Sequence, residues 1–310
     1  MADPFAGRLL ARAQQQLALH QIDGAIDTLK QLLGLQPENV HAHALLALSL
    51  HDRGRLHAAR AEASAAIALA PDDPLALMAH GCVLVAERKF KAAEQAYALA
   101  LAIWPDNAGL LLQVARLKES SGRRGEALQY LERARDSHPD DAQVWTALAQ
   151  WFFRNGRPRD SETSAERALR IEPEHVHANV LMGYALLRSG RRREAREHAI
   201  AALRGNPRDR SALGLLVACK LRQNPLLGLW MRWMLWMTTR GASGQIRILI
   251  GLYLGSRALS YACTDLGYRQ AADAVSWIWL VFVAYSWFAP LWFAQMLRRE
   301  TRTVQLNAEY

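Results

Sequence analysis

The segment Pro71–Pro105, PDDPLALMAHGCVLVAERKFKAAEQAYALALAIWP, opens and closes on prolines 34 residues apart. That interval organises the first two thirds of the chain. Pro37, Pro139, Pro173 and Pro207 continue it in both directions, so six prolines share one period. A fixed period of this length marks a repeat array. Apolar residues at helical spacing divide each unit into two antiparallel helices of about 12–14 residues with loops of a few residues between them.

Aligned on the prolines, the units are Ala6–Asn39, Val40–Asp73, Pro74–Asn107, Ala108–Asp141, Ala142–His175 and Val176–Asp209. Their eighth column reads Ala13, Ala47, Gly81, Ala115, Ala149, Gly183. The twentieth reads Ala25, Ala59, Ala93, Ala127, Ser161, Ala195, and the twenty-seventh is Leu32 followed by Ala66, Ala100, Ala134, Ala168 and Ala202. Small residues in fixed columns are what two helices need to pack closely where they cross. The fifteenth column carries Gly54, Gly122, Gly156 and Gly190, where one helix ends in a tight turn before the next. Acidic residues follow five of the prolines (Glu38, Asp72, Asp106, Asp140, Glu174), at the start of the next helix, whose free amides and dipole favour negative charge.

These columns resemble the tetratricopeptide repeat (TPR) family. Its pattern is a large apolar residue at column four (Leu77, Leu111, Trp145), Leu at seven (Leu46, Leu148), Gly or Ala at eight and an aromatic or Leu at eleven (Leu50, Leu84, Phe152, Leu186). Ala follows at twenty, an aromatic or apolar residue at twenty-four (Tyr97, Leu131), Ala at twenty-seven and Pro at thirty-two. The resemblance covers residues 6–209. The first unit departs most, with Arg12 and Gln16 at columns usually apolar, as suits a solvent-facing end. It implies an all-α fold, a right-handed TPR superhelix, whose last unit is closed by a capping helix over 210–223 that begins after Asp209. Residues 1–5 are expected to be a disordered lead.

The 310 residues carry a net charge of +9, which makes nucleic acid or an anionic membrane possible partners without choosing between them. Cys82, Cys219 and Cys263 have neither metal-type nor disulfide-type spacing. Met1–Leu10 contains Asp3, Pro4 and Arg8 and has no sustained apolar core of a secretory signal.

Beyond Pro225 the composition changes: seven of the ten tryptophans lie there. Within 224–240, LLGLWMRWMLWMTTR places Trp230, Trp233, Met234 and Met237 on one helical face with Arg232 displaced from it. Indole among headgroups and arginine on lipid phosphate suit an interfacial helix; a contact helix docked on the repeats is the other reading. Ala274–Leu297 holds no charged residue in 24 positions. As a helix it would measure about 36 Å against a hydrocarbon core of roughly 30 Å. Ile246–Cys263 is of spanning length but contains Arg247 and Arg257; an arginine at mid-bilayer costs roughly 2.5–3.5 kcal/mol. Gly251 and Gly255 form a G-x-x-x-G pair that would let a second helix approach.

We therefore expect a transmembrane helical hairpin over 244–300, with spans at about 246–263 and 274–297 and a tail at 301–310. One span with two surface helices is the alternative. Arginines before the hairpin and Arg298, Arg299 and Arg302 after it put both ends, and the repeats, on the cytoplasmic side of a membrane, with the bacterial inner membrane favoured.

No sequence motif points to catalysis or to a cofactor. His41 and His43, like His175 and His177, are alternate residues of one helix and point about 200° apart, so neither pair makes a metal site. P-loop, dinucleotide and G-x-S-x-G patterns are absent. The family resemblance implies a concave groove lined by columns two, five, nine and twelve of each first helix. Carried over, these give a partner-binding set of Leu75, Met78, Cys82, Val85, Leu112, Arg116, Gln143, Gln150, Phe153 and Tyr184, apolar in the third repeat and polar in the fifth. The groove columns hold no lysine and no asparagine, so the carboxylate clamp of chaperone-binding members is not expected. The function implied is a non-enzymatic, membrane-anchored scaffold that binds proteins and contacts lipid. A soluble nucleic-acid-binding solenoid is disfavoured because its arginines are not concentrated with aromatics in the groove. A membrane enzyme subunit with a TPR arm is the third reading.

Overall fold

The computed structural model describes residues 4–223 apart from His20 and Arg208, and 242–285 apart from Gly267 and Ala272, together with Trp236 and Phe288. Among these residues every regular element is a helix. The chain forms two compact units, residues 1–154 and 155–310.

The first unit runs α1 (Pro4–Ala18), α2 (Ile22–Leu35), α3 (Val40–Asp52), α4 (Leu56–Leu69), α5 (Pro74–Ala86), α6 (Phe90–Ile103), α7 (Ala108–Ser120), α8 (Arg124–Ser137) and α9 (Ala142–Arg154). Consecutive helices pair as hairpins, and the odd-numbered helices from α3 to α9 also touch one another in sequence. α1 starts at Pro4, inside the lead expected to be disordered, because proline at a helix start gives up no amide bond and has its φ already set.

The small columns are the crossing points. Ala59, Ala93 and Ala127 of column twenty, and Ala66, Ala100 and Ala134 of column twenty-seven, have no exposed surface. Larger side chains fill between them: Leu29, Leu32 and Leu46 toward the first end, Tyr97, Leu110 and Leu117 in the middle, and Leu111, Leu131 and Leu148 toward α9. Burying a leucine or tyrosine contributes about 1.5–3 kcal/mol relative to leaving it exposed.

Helix starts are capped one residue later than the acidic column suggests. The last column of each unit does the work: Asn39, Asp73 and Asn107 accept from Ala42, Ala76 and Leu110 amides at 3.0, 2.8 and 2.9 Å. Glu38, Asp72 and Asp106 sit outside the helix, and Asp106 instead accepts from Arg133 at 3.1 Å. The turns inside the second, third and fourth hairpins are left-handed C-terminal caps. Gly54 and Gly122 have φ of +71° and +82°, and the amides of Arg55 and Arg123 reach back to the carbonyls of Leu50 and Lys118 at 2.9 and 2.8 Å. In the third repeat that position is Arg88, with φ +60°.

The second unit holds α10 (Pro158–Ile171), α11 (Val176–Arg188), α12 (Arg192–Gly205), α13 (Arg210–Gln223) and α14 (Ala242–Asp265), followed by helical residues 273–285. α13 fits its Leu215 and Leu216 against α11 and α12, where Ala195, Ala199 and Ala202 leave room. An added Cβ at Gly183 would lie 2.2 Å from a Leu215 methyl, so the glycine in column eight is what admits α13.

Among the described residues no helix is long and apolar enough to cross a membrane. α14 has the length for a span, but Arg247, Arg257 and Asp265 break its apolar surface. The described part of the second predicted span is 274–285 and Phe288, and the rest lies outside the described residues. So do Trp230, Arg232 and Trp233; Trp236 of that segment is helical and 43% exposed. Tyr253 of α14 meets Trp279 with ring centroids 6.0 Å apart, which brings the two segments together. Gly251 and Gly255 take no part in that contact: among the described residues nothing lies within 4 Å of a Cβ built on either.

Candidate functional site

The candidate surface is the row of first helices, α3, α5, α7 and α9 in the first unit. Each turn of these helices has a side committed to its own hairpin partner and a side that meets the neighbouring first helix. What projects between those contacts is what a ligand could touch.

The ten residues singled out by column divide accordingly. Leu75, Met78 and Val85 of α5 are half-buried, packed at the edges of the core with Leu48 of α3 beside them. Arg116 of α7 and Gln143 of α9 are exposed, and Gln150 and Phe153 are half-buried. Cys82 and Leu112 are buried in the core, 3% and 6% exposed. The Tyr97 hydroxyl donates to Cys82 Sγ at 3.4 Å, and burial pushes the thiol up to about 11. Tyr184 stands in the second unit, half-buried, with its hydroxyl over Gly214 of α13.

Leu112, Arg116 and Gln150 are brought together. With Ala115, Glu119 and Trp151 among its other walls, they line a cleft between α7 and α9 of about 20 Å³. That is room for about one water, so any partner must lie across this seam rather than enter it. Arg154 pairs with Glu119 at 3.2 Å on its rim, which leaves the exposed Arg116 as its uncompensated charge.

Two wider recesses lie outside the candidate set. One, of about 730 Å³, sits over the repeat junctions of the first unit and includes Pro37, Asn39, His41 and Asp73. The other, of about 450 Å³ in the second unit, is lined by Glu162, Glu166, Arg170, Met182, Arg191 and His198. His198 Nδ1 is 2.9 Å from Asn179 Oδ1; since that amide's nitrogen donates to the Pro173 and His175 carbonyls, the imidazole is the donor. Burial lowers its pKa. Neither recess gathers the convergent acid, base and nucleophile that a reaction needs. Among the described residues no three His, Cys, Asp or Glu side chains are grouped to hold a metal.

Column reasoning missed one charged centre. Lys118 is 6% exposed, with Nζ 2.5 Å from Glu94 and 2.7 Å from Glu126, while Arg123 reaches Glu94 at 2.8 Å. Column eleven, where Lys118 stands, is otherwise Leu50, Leu84, Phe152 or Leu186, with Gln16 in the first repeat. A cation in an apolar column was the signal. Gln16 is explained in the same way: its Oε1 accepts from Thr28 Oγ1 at 2.8 Å.

A stack of two-helix units with small crossing columns, a proline at each junction and an accessible first-helix face defines a helical-repeat interaction module. Two models of the tetratricopeptide repeat match the chain, one over residues 10–74, 52–108, 146–191 and 180–224 and the other over 84–150. The chain belongs to the tetratricopeptide repeat family. No curated protein matches it. Among solved structures it is similar to a chain of the APC/C hetero-tetramer Cut9-Hcn1, at 15% identity and TM-score 0.54, over 69% of this chain and 42% of that one. It therefore spans less than half the length of that relative. A tetratricopeptide repeat protein from Parabacteroides merdae is 17% identical with TM-score 0.56, over 71% of this chain and 86% of its own. A thermophilic TPR protein of Thermus thermophilus is 24% identical with TM-score 0.52, over 59% and 99%. At these identities the likeness is one of fold.

Proposed function

We propose that this protein is a non-enzymatic scaffold that holds a protein segment on the first-helix face of its first unit and is seated at a membrane by its C-terminal helices. The observation that carries the first part is the run of apolar side chains, Leu48, Leu75, Met78 and Val85, left partly accessible beside the exposed guanidinium of Arg116. Such a strip suits an amphipathic segment with one apolar anchor and an acidic neighbour. A photo-crosslinker at Met78 should capture a partner in cells, and Met78→Glu with Val85→Glu should abolish capture at unchanged helical content. Undiminished capture by the double variant moves the site off this face.

The membrane half of the reading is supported by the tail. Leu254, Leu259, Ile278, Val281 and Phe288 are each more than half exposed, an apolar surface too extensive to be left to water. The uncharged run of 24 residues continues past the last described helical residue. The partner surface faces the cytoplasm of a bacterial inner membrane in this reading. Carbonate extraction of membranes tests it: release of the full chain into the supernatant sinks the membrane half and leaves the protein-binding half standing.

A further inference from the structure

The positive charge of this protein is not spread evenly. Residues 1–154 contain 16 Lys and Arg against 17 Asp and Glu, while residues 155–310 contain 22 against 12. Within the second unit the charge is again concentrated, at one end of α11, α12 and α13. The C-terminal end of α11 brings Arg188, the start of α12 brings Arg191, Arg192 and Arg193, and the C-terminal end of α13 brings Lys220 and Arg222. Their juxtaposition is direct: Arg222 donates to the Leu187 carbonyl, and Arg192 donates to the Arg222 carbonyl at 2.7 Å. The carboxylates at this end, Glu162 and Glu194, both engage Arg191, at 2.7 and 3.2 Å. Arg192 and Arg222 therefore bond main-chain carbonyls, which take none of their charge, and Arg193 is exposed without an ion pair among the described residues. At the opposite end of the same helices, Glu174 and Asp209 balance Arg204 and Arg210. This is also the end at which α13 finishes, at Gln223, ahead of the apolar helices in sequence.

We propose that this arginine end is a headgroup-binding surface for anionic phospholipid, acting beside the apolar tail. The proposal rests on the membrane reading above. Guanidinium groups already held by carbonyls keep their remaining N–H donors pointed outward, and a planar fork suits a phosphate oxygen pair. The polarity of the unit then has a purpose: an anionic surface attracts this end, next to the chain's exit, and not the balanced one.

The test is co-flotation of the full-length chain, diluted from detergent, with vesicles of phosphatidylcholine alone or with added phosphatidylglycerol, at low and high salt. Both compositions should carry the protein, with tighter binding to the anionic vesicles that salt removes. Each arginine at an anionic surface contributes about a fivefold gain, so R192Q with R193Q should lose about 25-fold of the anionic preference. R55Q with R124Q, an equal charge loss on the exposed first unit, should keep it. If R192Q disturbs the α12–α13 contact, as a lowered melting temperature would reveal, R193E carries the test alone because Arg193 is exposed and makes no bond among the described residues. Flotation on both compositions with no anionic gain, or a gain that survives R192Q and R193Q, overturns this surface and leaves the membrane reading intact. Flotation on neither overturns both. Retention on single-stranded RNA that R192Q and R193Q abolish, with vesicle binding unchanged, assigns the surface to nucleic acid and overturns the proposal.

Discussion

A Cβ placed on Gly81 would lie 2.2 Å from the ring of Tyr97. In the third repeat column eight and column twenty-four are thus one packing unit, with Gly81 leaving the room that the Tyr97 ring fills. Where column eight is Ala115 or Ala13, column twenty-four holds Leu131 or Leu29; at Gly183 it holds Ala199, and the room goes to Leu215 of α13 instead. Gly81→Ala should destabilise by about 2–3 kcal/mol, since the crossing cannot open without separating α5 from α6. Tyr97→Leu in the same chain should recover most of that loss. A double-mutant cycle in urea measures the coupling, and additive effects would mean that the two side chains are not in contact.

Arg88 occupies the left-handed turn where the neighbouring repeats have Gly54 and Gly122. An L-residue in that conformation is disfavoured by about 1–2 kcal/mol, of which glycine's larger unfolded-state entropy returns part. Arg88→Gly should stabilise by about 0.5–1 kcal/mol, and Gly122→Ala should destabilise by a similar amount. Both are read from denaturant midpoints at unchanged slope.

Lys118 and Glu94 give the stability of the first unit a defined pH dependence. The Arg123 hydrogen bond, then that of Lys118, holds the Glu94 carboxyl at about 2. A depressed carboxylate adds stability above its unfolded value of about 4.3, and the gain is lost as pH falls through its folded value. Glu94→Gln should therefore flatten the urea midpoint between about pH 4.5 and pH 2. Burial alone would lower Lys118, but its hydrogen bonds to Glu126 and Glu94 win and raise it. Its contribution is complete below about pH 10.4 and is lost as pH rises through the folded value. Lys118→Met should remove that alkaline loss at little cost near neutrality, because column eleven is apolar in the second, third, fifth and sixth repeats and Glu94 keeps Arg123. An unchanged alkaline limb in Lys118→Met would show that the cation is not coupled to the carboxylates.

What could be read from the sequence was whatever the period itself encodes. Ala59, Ala93 and Ala127 recur because two backbones must approach there, and the recurrence is visible without coordinates. Lys118 was legible only as a cation out of place in column eleven; what tolerates it, Glu94 and Glu126, comes from columns that carry no signal of their own. The groove columns were legible only in part. Column five falls on the seam between successive first helices, so Ala44, Leu112 and Thr146 are buried there while Met78, long and flexible, keeps part of its surface. The tail was legible as composition: its charge-free run from Ala274 to Leu297 is plain in sequence, while the arginines of α14 interrupt the preceding apolar stretch.

Ser161 is the exception in column twenty, where the other repeats have alanine. It is fully buried, and its hydroxyl has no hydrogen-bond partner among the described residues, although the Arg157 carbonyl lies one turn back at the N-cap of α10. Burying a hydroxyl without a partner costs about 1–3 kcal/mol, and alanine removes that cost while leaving the small volume that the crossing requires. Ser161→Ala should raise stability by about 1 kcal/mol, and Ser161→Val, of larger volume, should lower it by at least as much through overpacking. Thermal and urea unfolding of the two variants separate the causes. If alanine stabilises and valine does not, polarity and volume act independently at this crossing, and the same substitution logic extends to the fully buried Ala168 and Ala195 of the second unit. If alanine destabilises, the hydroxyl has a partner in solution, an ordered water being the one a buried site of this size admits.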